Sequence, residues 1–174
     1  MKGRSLITIQ SIAEAVAEVL ESASVLVRPE TTALQHALGR VLAQQVTAGI
    51  DVPPADNSAM DGYAFRHSDW RGPDQRIAIS QRIPAGIAPP ALEAGTAARI
   101  FTGAEVPRGA DTVVMQEHCE EGPEGVVIKK CPPESANIRR RAQDIYSGQT
   151  VLEPGVRLRP QDVGLIASLG IDPD

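Results

Sequence analysis

Glycine and proline set the strongest limit on what this chain can fold into: 15 Gly and 14 Pro are spread through 174 residues. Gly loses more backbone entropy than other residues in a regular element, and Pro lacks the amide donor that helices and inner strands need. A bundle of long helices is thereby excluded, and many turns with short strands are expected. The punctuation is densest between Pro53 and about Arg140. There Arg76–Ser80, Ala98–Phe101, Asp111–Met115 and Gly125–Lys129 form short runs rich in β-branched side chains, each bracketed by turn residues. This stretch reads as a compact β-rich module.

The flanks carry helical signals instead. Ser11-Ile-Ala-Glu14 places a carboxylate three residues after a hydroxyl, the capping-box spacing, and Ile12, Val16, Val19 and Leu20 then share one face. A helix over Ser11–Ser22 follows. Leu34, Leu38 and Leu42 repeat at four-residue spacing, which predicts a second helix over Thr32–Leu42, and Pro53-Pro54 stops any continuation. Near the other end Gly155–Leu158 reads as a strand and Arg159-Pro160 as a helix start, with Gly164 inside the helix and Gly170 ending it. The expected fold is α+β and β-dominated. Residues 1–52 and 146–174 form a discontinuous, elongated base of helices and short strands, and residues 53–145 form the inserted β-rich module.

Composition narrows the function classes. Leu, Ile, Val and Phe supply about a quarter of the residues, above the roughly 20% below which disorder is the default, so the chain can bury a core. Aromatics are only 3%, so that core is aliphatic, and stacking platforms for single-stranded nucleic acid are excluded. A net charge of -5 argues the same way, because phosphate backbones call for a basic surface. No uncharged apolar run approaches the roughly 20 residues of a membrane span. Lys2 and Arg4 precede an apolar stretch that polar residues interrupt, which speaks against a signal peptide. Cys119 and Cys131 are the only cysteines, too few for a disulfide framework, and a cytoplasmic location is expected.

Three segments could carry chemistry. Asp56-Asn-Ser-Ala-Met-Asp61-Gly sets two carboxylates five apart after a stiff Pro-Pro pair. It either presents oxygen ligands to a metal or to ligand hydroxyls, or caps a turn. Phe101-Thr-Gly-Ala104 offers a hydroxyl beside a glycine, either amides facing an anion or a simple turn. Asn137-Ile-Arg-Arg-Arg141, followed by Gln143-Asp144, gathers three guanidiniums in an acidic protein. They suit phosphate or carboxylate recognition, or else guard an edge strand on which Arg139 and Arg141 would share a face. The three histidines and two cysteines match no zinc template.

Taken together, Val52-Pro-Pro-Ala-Asp-Asn-Ser-Ala-Met-Asp-Gly-Tyr-Ala64, Phe101-Thr-Gly-Ala104, Gly109-Ala-Asp-Thr-Val-Val-Met-Gln-Glu117, Asn137–Arg141 with Asp144, and Ile166-Ala-Ser-Leu-Gly170 resemble the N-terminal half of the MoeA family. That family comprises the molybdopterin molybdenumtransferases and includes the E domain of gephyrin. The resemblance implies part of an enzyme of molybdenum cofactor synthesis, which inserts molybdenum from molybdate into adenylylated molybdopterin and releases AMP. It implies a divalent cation such as Mg2+, a homodimer with the site shared between protomers, and molybdopterin adenylyltransferase as the upstream partner. By motif match, Asp61 and Asp144 are the catalytic and metal-holding candidates. Thr102, Asn57, Ser58, Arg139, Arg140 and Arg141 are the substrate-binding candidates.

Two departures stand out. Ala55 occupies a position where the family usually has an aromatic. Arg141-Ala-Gln-Asp144 stands where the family usually reads Arg-Gly-Glu-Asp, so a side chain is added at Ala142 and a charge is lost at Gln143. The catalytic α/β domain and the C-terminal β domain of the family are not matched, so the 174 residues alone are expected to be inactive. A non-catalytic scaffold or binding module with the same fold is the competing reading.

Overall fold

The structure, a computed structural model, describes residues 10–24 and 27–171. In chain order the elements are α1 (Ile12–Ser22), β1 (Val46–Thr47), β2 (Asn57–Ser58), β3 (Gly62–Phe65), β4 (Arg76–Ile83), β5 (Thr96–Ile100), β6 (Thr112–Met115), β7 (Cys119–Gly122), β8 (Gly125–Ile128), β9 (Ile138–Arg139), β10 (Thr150–Leu152) and α2 (Pro160–Ser168), with single 3-10 turns at Leu34–His36, His67–Asp69 and Gln116–His118. The fold is mixed and mostly strand, as expected. The residues of the signal-peptide argument, Lys2 to Ile9, and the last three residues lie outside the described part.

Six strands make the main sheet in the order β6-β3-β5-β4-β8-β7. All neighbours are antiparallel except β4 and β5, which run parallel with Ile83 opposite Ile100. Between the edge strand β6 and β5 lies β3, whose Gly-Tyr-Ala-Phe is buried throughout. A strand covered on both faces shows no polar alternation. Tyr63 and Phe65 point into one core with Ile77, Ala97, Val114, Val126 and Ile128. Ala64 points into the other with Ile83, Ala98, Ile100, Ala104 and Val113. Complete burial of Phe65 or Ile100 contributes roughly 1.5–3 kcal/mol each. Strand crossing is so close at Gly62 that a Cβ there would sit 1.8 Å from the Val114 carbonyl oxygen.

A third core joins the two ends of the chain. Ala37, Leu158 and Ile166 are buried together, with Leu34, Val46, Leu152 and Val163 packed around them. β1 pairs with β10, Val46 opposite Leu152, and isolated bridges link Val41 to Arg157 and Val52 to Ile145. β2 pairs with β9, Asn57 opposite Arg139.

Local sequence explains the helices. Ser11 accepts from the Glu14 amide at 3.2 Å while the Glu14 carboxylate accepts from the Ser11 amide at 2.7 Å, the expected capping box. α1 buries no residue; Ile12 is 86% exposed and Val19 68%. α2 opens on Pro160, and Asp162 accepts from the Arg159 amide at 2.9 Å. The helix expected over Thr32–Leu42 is reduced to one turn at Leu34–His36. Gly39 leaves the helical region at φ 77° and its amide donates to the Leu158 carbonyl at 2.8 Å, so tertiary pairing replaces the next helical turn. Gly155–Leu158 forms no regular strand either; its amides and carbonyls bond irregularly to residues 39–42.

Candidate functional site

Asp61 closes the tight loop between β2 and β3. Its Oδ1 accepts from the Thr102 amide at 2.8 Å and from the Thr102 hydroxyl at 2.7 Å. The turn at Phe101-Thr-Gly does present an amide to an anion, and the anion is this protein's own carboxylate. The Thr102 amide, and then its hydroxyl, hold the Asp61 carboxyl below the ordinary aspartate range, so it is ionised at neutral pH. Asp61 is half-buried, and among the described residues its Oδ2 has no hydrogen-bond partner. The arrangement therefore offers one fixed, charged oxygen acceptor beside an exposed threonine.

Ser58 and Asn57 lie one turn earlier. The Ser58 hydroxyl is buried and donates to the Met60 carbonyl at 2.6 Å, while the Ser58 backbone bonds Ala104 and Gly103. Ser58 thus anchors the 101–104 turn against the Asp61 loop. Half-buried Asn57 sits opposite Arg139 in the β2–β9 pair.

The three arginines are not a run of free cations. β9 stops at Arg139, and a turn carries residues 140–143, so the shared face expected for Arg139 and Arg141 does not form. Arg139 binds Asp144 at 2.5 Å, Arg140 binds Asp56 at 2.7 Å, and Arg141 binds Asp51 at 2.5 Å. The Arg141 amide also donates to Asp56 Oδ1 at 2.8 Å, and the Arg140 amide to Gln143 Oε1 at 2.9 Å. Each carboxylate answers one guanidinium, and the Asp56 and Asp51 pairs strap residues 51–56 to residues 139–144. Burial pushes the Asp56 carboxyl up, but the Arg141 amide and the Arg140 guanidinium outweigh it and the net displacement is downward. Asp51 is held low by the Ser147 amide and then by Arg141.

Asp61 and Asp144 take different partners, Asp61 the Thr102 hydroxyl and Asp144 the Arg139 guanidinium. Among the described residues no three His, Cys, Asp or Glu side chains gather as a metal-binding group. The donor set within this chain, one carboxylate bound by Thr102 and another bound by arginine, does not fit a divalent-cation site.

Sequence reasoning missed Asp51, Arg99 and Gln116. Asp51 carried a usable signal, since it and Asp56 flank the Pro pair with charge opposite to the arginine run. Arg99 lies on β5 between aromatic neighbours, 5.2 Å from the Tyr63 ring centre and 4.6 Å from that of Phe101. Nothing in its local sequence marked it.

Among the described residues no helix is long and apolar enough to cross a membrane. The sequence profile of the MoeA N-terminal region (domain I and II) matches residues 10–170. The chain is 38% identical over 162 residues to a molybdopterin molybdenumtransferase of Haemophilus influenzae, covering 91% of this chain and 39% of the relative. It is also 38% identical over 169 residues to molybdopterin molybdenumtransferase 2 of Mycobacterium tuberculosis, covering 94% of this chain and 41% of the relative. A crystal structure of the molybdopterin biosynthesis moeA protein from Pyrococcus horikoshii OT3 superposes with a TM-score of 0.75 at 34% identity, over 82% of this chain and 39% of that one. The chain thus spans about two fifths of the length of the relatives it matches. With motifs, fold and matched span in agreement, the chain belongs to the MoeA N-terminal region family.

Proposed function

We propose that this chain serves molybdenum cofactor biosynthesis as the N-terminal part of a molybdopterin molybdenumtransferase. In this reading molybdenum from molybdate enters adenylylated molybdopterin and AMP leaves. The family membership carries the proposal, since the relatives it rests on are named molybdopterin molybdenumtransferase. The Asp61–Thr102 contact supplies the local chemistry. A carboxylate held ionised cannot act as a general acid near neutral pH; it accepts hydrogen bonds or orients a cationic group of the reacting complex. Thr102, exposed beside it, is the adjoining polar contact for substrate. An incoming anion reaches Arg139, Arg140 or Arg141 only by competing with Asp144, Asp56 or Asp51, so these arginines trade one carboxylate for another oxyanion rather than offering a vacant charge. No step is assigned to a divalent metal held by this chain.

The same proposal divides the chain into a base, 1–52 with 146–174, and a β-rich module, 53–145, working in the cytoplasm as a homodimer whose site another protomer completes. Adenylylated molybdopterin then comes from an adenylyltransferase. The exposed apolar face of α1 supports assembly with further protein. The test joins this chain to the remaining domains of a family member and measures AMP release from adenylylated molybdopterin with molybdate. We expect turnover that falls at least tenfold in Asp61→Asn. Turnover in the wild-type chimera that Asp61→Asn leaves untouched removes Asp61 from the site, and an inactive, folded wild-type chimera points to the scaffold reading.

A further inference from the structure

The peptide that follows Asp61 is held from three sides. Arg99 Nη1 donates to the Gly62 carbonyl at 2.8 Å and to the Ile100 carbonyl at 3.2 Å, while its Nη2 donates to Gln116 Oε1 at 2.6 Å. The Gln116 backbone N–H donates to the Asp61 carbonyl at 3.0 Å. Arg99 stands opposite Tyr63 in the β3–β5 pair, and its guanidinium lies near both the Tyr63 and Phe101 rings. Tyr63 is fixed by its own hydroxyl, which donates to Glu121 at 2.5 Å. Arg99 makes no ion pair among the described residues. Its planar fork instead satisfies carbonyl oxygens on β3 and β5 and an amide oxygen just beyond β6, a task that a single ammonium cannot match. Arg82, stacked on the same Phe101 ring at 4.6 Å, shares the charge but reaches none of these carbonyls.

We propose that Arg99, acting with Gln116, is the positioning residue that fixes the Asp61 carboxylate against Thr102. The inference deepens the functional reading, on which the importance of Asp61 rests. Arg99 touches neither substrate nor reacting atoms. It acts by holding the backbone on both sides of the Asp61–Gly62 peptide, so that Oδ1 stays on Thr102 and Oδ2 stays open. A guanidinium fork is required because one side chain must reach Gly62, Ile100 and Gln116 at once.

The experiment follows the Asp61 carboxyl carbon and the Thr102 amide by NMR in the 174-residue chain, in wild type, Arg99→Gln, Arg99→Lys, Gln116→Ala and Arg82→Gln. Thermal melts are run in parallel. In Arg99→Gln we expect the Asp61 carboxyl-carbon resonance at a fixed pH of about 7, where the group stays ionised, to shift as its Thr102 contact loosens, and Thr102 amide exchange to quicken on the order of tenfold. Arg82→Gln should change neither. Arg99→Lys should keep the charge yet still lose Thr102 protection; full rescue by Lys would mean that charge alone acts, and the clamp fails. Unchanged Asp61 and Thr102 signals in Arg99→Gln overturn the proposal, as does a lowered melting temperature with those signals intact. Should Arg99→Gln not fold, Gln116→Ala decides by the same two signals. None of these readouts depends on turnover. A confirmed clamp beside a fully active Asp61→Asn chimera therefore removes Asp61 from the functional site and spares the clamp, and a confirmed clamp beside an inactive, folded wild-type chimera sinks the functional reading and spares it too.

Discussion

Ala142 holds φ at 58°, a left-handed backbone in which a Cβ crowds the neighbouring carbonyl. Replacing it by glycine removes that clash and loosens the unfolded chain, two opposed effects of which the first is larger here. Ala142→Gly is expected to stabilise the protein by about 1 kcal/mol, raising the melting temperature by about 2–4 °C in a thermal scan. Gly62 is the reverse case. A methyl placed 1.8 Å from the Val114 carbonyl must push β3 from β6, and both are backbone, so no rotamer relieves it. Gly62→Ala should cost at least about 3 kcal/mol and show as a protein unfolded or lost on purification. At this scale the sequence conveyed which residue types matter but not their pairing. Asp61 and Thr102 stand out in their motifs, yet their contact spans 41 residues, and only the register of β3 with β5 brings them together. Arg99 was illegible for the same reason, since its three acceptors are oxygens supplied by the fold.

Among elements, the short β-branched runs were readable because turn residues bracket them. Arg76–Ser80 extends to Ile83, and Asp111–Met115 begins one residue later, at Thr112. β3 was hidden because its residues belong to the motif that drew attention as a ligand loop, though a four-residue apolar run between turns fits a doubly buried strand. β7 was hidden by its polar Cys-Glu-Glu-Gly sequence, tolerated because it is the sheet edge. The arginine run misled on geometry for a physical reason: three opposing carboxylates sit more than 80 residues away in sequence or round a turn. This strap gives a pH prediction. Asp56 has a folded-state pKa below its unfolded one, so the stability it contributes is present above the unfolded value and is lost as pH falls through the lowered folded value. Asp56→Asn should be less stable than wild type at pH 7, and that gap should close steadily below about pH 4. Added salt should narrow it too, because both side chains are substantially exposed. Urea melts across pH and ionic strength check both.

For the molecule as a whole, α1 is the outlier: an amphipathic helix with a complete capping box and, among the described residues, nothing that buries its apolar face. Its stability comes from local bonding, and the rest of the fold does not lean on it. The double substitution Val16→Glu with Leu20→Glu should therefore leave the melting temperature within about 2 °C of wild type. If the face is covered in an assembly, the same change should lower self-association measured by sedimentation. The pairing of Val46 with Leu152 has a different kind of consequence. It closes a loop of about a hundred residues, and closure over that length is slow unless the intervening chain first draws its own ends together. Connectivity leads us to expect an order along the folding path: the six-stranded sheet collapses early, the strap between residues 51–56 and 139–144 brings the ends into reach, and the β1–β10 ribbon forms last, which pulsed hydrogen exchange at Val46 and Leu152 would check. A nascent chain released before Leu152 emerges would have its central sheet strands complete and its terminal core still open.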